Sequence, residues 1–307
     1  MLQRSFIPGS EWLYYKIYLG PKTMDAFLVE EILPLIGKLK QEKLTEKWFY
    51  IRYADPKQHL RIRFLVKPGP AQSEIINLLH DALQSWINED LIWKVQLDTY
   101  NRELERYGTN TMELSETLFQ HDSEATLQFL DMIEGDEGEQ LRWLFGLRAL
   151  DHLLGLFNYT IHEKLNTMDI LKTAFGKEFG MARPLKKQLD EKFRKERKNI
   201  GHFMEIKQTD ELYGPIISVL HQKERMLHPA VSAILHLKAK NSLQLAFDNL
   251  MASHIHMLMN RLFKSKNRLN EMVCYDFLYR YYKSKMAIDQ AKTIPPVQIT
   301  NHDFKNI

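Results

Sequence analysis

Hydrophobic and polar positions follow one rhythm in the first third of the chain and another in the rest. Residues 11–19 (EWLYYKIYL), 47–54 (KWFYIRYA), 59–66 (HLRIRFLV) and 92–100 (IWKVQLDTY) are short and rich in aromatic and β-branched residues, and they predict strands. Asp55-Pro56-Lys57 predicts a turn that pairs the second and third strands antiparallel. Residues 22–43 have helical periodicity, with Pro34 expected to kink or break the helix. A second helix is expected at 71–88, after Pro68-Gly69-Pro70. Beyond about residue 113 the spacing is helical throughout, at 113–134, 138–162, 165–175, 184–200, 209–222, 228–238, 242–263 and 267–286, with no internal repeat.

The fold class expected is therefore α+β. An antiparallel or mixed four-stranded sheet with two helices across one face should pack on a mostly helical C-terminal part. The composition changes near Gly108 without a long linker. We expect a sheet subdomain at 1–108, a helical subdomain at 109–286 packed on it as one unit, and an extended or frayed tail at 287–307.

Composition narrows the class rather than the function. The 307 residues are 44% hydrophobic and 26% charged, which excludes disordered and collagen-like chains. A formal net charge of +3 is too even to imply nucleic-acid binding. The single cysteine, Cys274, excludes an internal disulfide framework and a cysteine-based zinc site, and fits a reducing cytoplasm. No run approaches the roughly 18 apolar residues of a membrane span, and the N-terminus lacks a signal peptide's apolar segment. Phosphate-loop, dinucleotide and zinc-protease motifs are absent.

Three segments carry candidate chemistry. In HLRIRFLV, alternation puts Leu60, Ile62, Phe64 and Val66 on one face and His59, Arg61 and Arg63 on the other. The plain reading of the second face is a solvated surface. The functional one is an anion clamp, since a guanidinium presents a planar fork of donors to a carboxylate or phosphate. Arg52, in the neighbouring strand, is a candidate to join it across the hairpin. Glu103 and Arg106 lie three apart, so a helical turn would make them a surface ion pair, or let Glu103 aim Arg106 at a cleft. His256 and Asn260 share a helix face; a lone helical histidine is more often structural, but its ordinary pKa suits proton transfer. The run 183–198, with eight Lys/Arg and three Asp/Glu, reads as a solvated helix face before an acidic or RNA partner is invoked.

The chain also resembles a known family. Arg4-Ser5-Phe6-x-Pro8-Gly9-Ser10-x-Trp12-Leu13-Tyr14 looks like the opening of the thiopeptide-type bacteriocin biosynthesis domain, which is also the C-terminal, glutamate-eliminating part of class I lanthipeptide dehydratases. Trp48-Phe49-x-Ile51-Arg52-Tyr53-x-Asp55-Pro56-x-x-His59-Leu60-Arg61-x-Arg63-Phe64 is similar to its most characteristic stretch. Tyr100…Glu103-x-x-Arg106-Tyr107-Gly108 and His256-Met257-x-x-Asn260-Arg261-Leu262 follow in the family's order. One departure is Thr109, where the family often has a second glycine.

The resemblance implies a stand-alone elimination subunit of a split dehydratase. Its reaction would be β-elimination of glutamate from O-glutamylated Ser or Thr of a precursor peptide, leaving dehydroalanine or dehydrobutyrine. By resemblance Arg61, Arg63, Arg106 and His256 are the catalytic set, and Arg52, Glu103, Asn260 and Arg261 bind substrate. No metal or organic cofactor is required. The implied partners are the glutamylated precursor, a separate tRNA-dependent glutamylating subunit and a lanthipeptide cyclase; direct nucleic-acid contact is not expected, and a homo-oligomer is compatible with the rest. Two alternatives stay open: a formal (4+2) cycloaddition of two dehydroalanines, as in thiopeptide pyridine synthases, and a non-catalytic scaffold for the leader peptide.

Overall fold

Four antiparallel strands form the sheet that positions everything else, in the order β3-β4-β2-β5. They are β2 (Trp12–Leu19), β3 (Lys47–Tyr53), β4 (His59–Leu65) and β5 (Ile92–Leu97). A separate two-stranded pair, β1 (Ser5–Phe6) with β6 (Tyr100–Asn101), lies beside them. The computed structural model describes residues 2–180 and 182–293. All four strands expected from the sequence are present, and the sheet is antiparallel throughout.

The first helical stretch is α1 (Pro21–Phe27), a π turn over Leu28–Ile32, and α2 (Leu33–Gln41). Pro34 lacks an N–H, so it cannot complete the backbone ladder, and the widened turn stands directly before it. Helix α3 (Pro70–Asn88) matches its expected span and buries Ile75, Leu79, Leu83 and Trp86. Then come α4 (Leu104–Tyr107), α5 (Met112–Asp131), α6 (Gly135–Leu156), α7 (Ile161–Glu178), α8 (Arg183–Glu205), α9 (Gly214–Ala239), α10 (Phe247–Leu262) and α11 (Asn267–Thr293). Two expectations are corrected. The segments 209–222 and 228–238 are one helix, α9, which runs through Pro229. Residues 287–293 belong to α11 rather than to a tail; the rest of the expected tail, 294–307, lies outside the described residues.

The register decides which side chains face which half. Arg63 stands between Tyr14 of β2 and Phe49 of β3, and Arg61 between Lys16 and Ile51. The face carrying Leu60, Ile62 and Phe64 is fully buried, as alternation required. The opposite face is not the open surface that its polar residues suggest. Arg63 is buried there because α5 and β6 cover that end through Phe119 and Tyr100, which meet Phe49 and Trp12 ring to ring, and His59 is buried between Tyr18 and Tyr53. Strand β3 is an edge, yet its backbone is satisfied by side chains. Ser123 Oγ accepts from Tyr50 N–H at 3.2 Å, and Asn260 both accepts from Arg52 N–H and donates to its carbonyl at 2.9 Å.

A buried ion pair anchors the junction between sheet and helices. Arg102 Nε and Nη2 each donate to Glu116 at 2.7 Å, and Tyr100 Oη adds a third bond at 2.9 Å. Both partners are almost fully buried, so this geometry ties the chain after β6 to α5.

Candidate active site

The arginine-bearing end of β4 opens into a narrow cleft of about 30 Å³. Its walls include Phe49, Arg63, Tyr100, Glu103, Tyr107 and Phe119, with Met257 and Arg261 contributed by α10. Strand alternation aims Arg63 into it; the i, i+4 spacing of Met257 and Arg261 brings both from one helix face.

Arg63 is 7% exposed, and no carboxylate pairs with it among the described residues. Its guanidinium lies 4.4 Å from the Tyr14 ring centroid, 4.9 Å from that of Tyr100 and 5.2 Å from that of Phe49. Aromatic faces attract a cation but supply no acceptor in the guanidinium plane. Burial lowers the Arg63 pKa, while Tyr14 and Tyr100 oppose that shift. Three buried donors on the cleft lack acceptors: Arg63 Nε, Arg261 Nη2 and Tyr107 Oη. Buried polar groups are nearly always paired, so unpaired donors on three residues that line one gap make it a candidate place for acceptor oxygens.

Arg261 is fully buried at the back of the cleft. Its Nε donates to Ser123 Oγ at 3.2 Å, its Nη1 donates to the Met257 carbonyl at 2.9 Å, and Asp122 lies 3.8 Å away. Asp122 is itself paired with buried Lys223 at 3.0 Å. These bonds hold the guanidinium rigidly while leaving one nitrogen unused.

Glu103 lines the cleft, and the remaining sequence-predicted residues lie elsewhere. Arg61 lies two residues along β4, stacked 3.5 Å from the Tyr53 ring centroid, with Nε donating to His59 Nε2 at 3.0 Å. Glu103 and Arg106 form the expected pair across α4, at 3.1 Å, and both are exposed. Gly108 ends that turn at φ +68°, a conformation that disfavours any side chain. Thr109, at the departure from the family pattern, donates both its N–H and its hydroxyl to Gln244 Oε1 at 2.6 Å.

His256 follows α10 one position before Met257 but does not line the cleft. Its Nδ1 lies 3.0 Å from both oxygens of Glu271, a fully buried carboxylate on α11 that also accepts from Tyr275 Oη at 3.0 Å. A carboxylate accepts, so Nδ1 carries the proton, and the neutral ring has its lone pair on Nε2. The His256 side chain is 29% exposed.

Arg52 does not join the clamp. The register pairs it with Leu60, on the opposite face from Arg61 and Arg63. There Nη2 bonds Asp25 at 2.7 Å and Nε donates to the Arg261 carbonyl at 2.8 Å. Burial alone would raise the Asp25 pKa, but Arg52 and Arg142 hold it below the ordinary value. Asn260 spends its amide on the β3 edge, as described above. Glu271 and the aromatic walls were not identified from the sequence. Glu271 is 15 positions from His256, on another helix, and no motif links the two.

His254, one turn from the cleft residues, is fully buried between Tyr107 and Phe119, and burial pushes its pKa down to about 4 from 6.5. The neutral ring is the folded form, so the unfolded chain binds more protons between these values. Stability from this group is complete above pH 6.5 and is lost as pH falls towards 4. At pH 5 the loss should be about 2 kcal/mol. Urea midpoints of wild type and His254→Leu at pH 7 and pH 5 check this; equal pH slopes for the two proteins would refute it.

The chain is 27% identical over 286 residues to nisin biosynthesis protein NisB of Lactococcus lactis subsp. lactis, covering 92% of this chain and 26% of that protein. It is 25% identical over 290 residues to subtilin biosynthesis protein SpaB of Bacillus subtilis, covering 91% and 26%. The chain thus spans about a quarter of the length of these relatives. Among solved structures, the tRNA-dependent lantibiotic dehydratase MibB from Microbispora sp. 107891 matches with a TM-score of 0.72 at 20% identity, over 93% of this chain and 29% of that one. TbtD, a pyridine synthase from thiomuracin biosynthesis, matches with 0.58 at 13%, over 91% and 100%. These structural likenesses concern the fold. Residues 12–282 match the family model described as lantibiotic biosynthesis dehydratase C-term, and the chain belongs to that family.

Proposed function

We propose that this protein eliminates glutamate from O-glutamylated Ser and Thr residues of a precursor peptide, as the elimination component of lanthipeptide dehydration. The observation that carries the reading is the cleft around Arg63, where buried donors from two arginines and a tyrosine lack acceptors. The family and the relatives support a place in lantibiotic biosynthesis.

The substrate has a Cα proton, an adjacent amide and a glutamyl ester on Cβ. A base removes the Cα proton, negative charge develops on the amide oxygen, and the Cβ–O bond breaks. Glutamate leaves with that electron pair as its carboxylate, and a Cα–Cβ double bond remains. Arg63 and Arg261 are suited to hold the oxygens on which charge gathers, since fixed donors in a buried site stabilise it most. His256 Nε2, with Nδ1–H held by Glu271, is suited to move the proton. Arg61 and Arg106, nearer the surface, are suited to the free carboxylate of the glutamyl group. The cleft as it stands is far smaller than the roughly 300–1,000 Å³ of a typical ligand site. Binding there therefore requires the cleft walls to open.

A cycloaddition of two dehydroalanines has no departing carboxylate and no need for unpaired buried arginines, so the cleft favours elimination. Mass spectrometry tests the reading. A purified glutamylated precursor should lose glutamate and gain dehydrated residues on incubation with the protein. An unmodified precursor should stay unchanged. Dehydration of the unmodified peptide, or no change in the glutamylated one, would overturn the proposal.

A further inference from the structure

A second cluster of reactive side chains lies on the helical half, on residues that the elimination chemistry does not use. His152 on α6 meets His221 and Glu224 on α9. His221 and Glu224 are three apart, so they project from the same face of α9. His152 faces them from the neighbouring helix, its ring 5.1 Å from that of His221 and edge-on to it. Glu224 Oε2 lies 3.3 Å from His221 Nδ1 and 3.8 Å from His152 Nδ1. One donor atom from each residue lies within 4.8 Å of the other two.

We infer that His152, His221 and Glu224 form a binding site for a divalent transition metal of the zinc class, tying α6 to α9. The donor set is the first argument. Two imidazoles and a carboxylate suit zinc and its neighbours, whereas calcium and magnesium prefer oxygen donors alone. The spacing is the second. Tetrahedral ligands about 2.0–2.1 Å from an ion lie about 3.3–3.4 Å from one another. The Glu224–His221 separation already has that value, and the Glu224–His152 separation needs only a small side-chain rotation to reach it. The third is the setting. The three side chains are partly buried, at 13%, 35% and 43% exposure, in a seam between two helices, which leaves a fourth position open to water.

Two cations lie close by, Arg148 and Lys223. Lys223 is matched by Asp122 at 3.0 Å, and Arg148 bonds the Ile206 carbonyl. The role is a tie between helices, separate from elimination, so its test does not depend on the peptide reaction.

The test uses tag-free full-length protein, stripped with chelator and dialysed, then titrated with zinc chloride by calorimetry. Metal bound at saturation is measured by mass spectrometry. The inference expects one zinc per chain, a zinc-dependent rise in Tm, and Co²⁺ spectra of tetrahedral or five-coordinate geometry. His152→Ala and His221→Asn should each weaken binding by more than about 100-fold, since ligand loss exceeds the effect of outer-sphere changes. Both variants should keep wild-type Tm in chelator, which separates lost coordination from misfolding. If the wild type binds no stoichiometric zinc, or if both variants bind it as tightly as wild type, the three residues are a hydrogen-bonded cluster only and the inference fails. A variant that does not fold is replaced by Glu224→Gln, which keeps the side chain's size and removes the anionic donor.

Discussion

Elimination should fall by about 10²–10³-fold when Arg63 is replaced by alanine, while attachment of glutamate by the partner enzyme continues. Arg63 is the buried cation of the cleft, and among the described residues no carboxylate pairs with its guanidinium. Its removal takes away donors that the developing charge needs and leaves the aromatic box of Tyr14, Phe49 and Tyr100 empty. Co-expression with the glutamylating partner should then yield peptide carrying added glutamates in place of dehydrated residues. Arg63→Lys should recover only part of the activity, because an ammonium keeps the charge but not the planar fork. Arg61→Ala should be milder, since Arg61 is half-exposed and already held by Tyr53 and His59. Arg194→Ala, on the exposed face of α8, should leave dehydration at wild-type levels. A folded Arg63→Ala protein that dehydrates peptide normally would remove the basis for the cleft as the active site.

His256→Ala should lose about 10²–10⁴-fold in the elimination step, the range expected of a proton-transfer group. Glu271→Gln is the sharper test. The carboxylate accepts from Nδ1–H and thereby fixes the tautomer in which the neutral ring carries its lone pair on Nε2. A glutamine in its place can turn its amide N–H towards the ring, which favours the other tautomer and puts the proton on Nε2. Glu271→Gln should therefore approach the loss seen in His256→Ala, with KM changed little and kcat carrying the effect, since Glu271 is buried beneath the histidine. A merely structural Glu271 would instead lower Tm and leave the turnover of the folded fraction unchanged. Wild-type turnover in a folded Glu271→Gln protein would show that His256 does not act through this pair.

Much of this architecture follows from local pattern. Aromatic and β-branched composition placed all four strands, and period-two alternation in β4 put Arg61 and Arg63 opposite Leu60, Ile62 and Phe64, because a strand's pleat leaves no other choice. The Glu103–Arg106 pair was equally local, a consequence of one helical turn. Pro229 misled for the opposite reason: its cost to a helix is local, and the packing of Leu227, Ala230, Val231 and Ile234 on either side of it outweighs that cost. Arg52 shows a different limit. Its own alternation sets it one position out of phase with Phe49 and Ile51, but only the strand pairing, with Arg52 beside Leu60, decides which residues it meets across the hairpin.

What local pattern could not reach were distances between segments far apart in the chain. Whether the polar face of β4 is solvated or covered depends on where α5 and α10 come to rest. Their placement turns Arg63 from a surface arginine into a buried cation facing Tyr107 and Arg261. The partner that orients His256 lies on α11, and the partners that gather around Glu224 come from two helices. The sequence by itself determined which residues share a strand face or a helical turn, because backbone geometry repeats every two or 3.6 residues. Only the tertiary structure decided which of them are buried, paired or left without an acceptor, because those properties arise from contacts between segments that no period along the chain encodes.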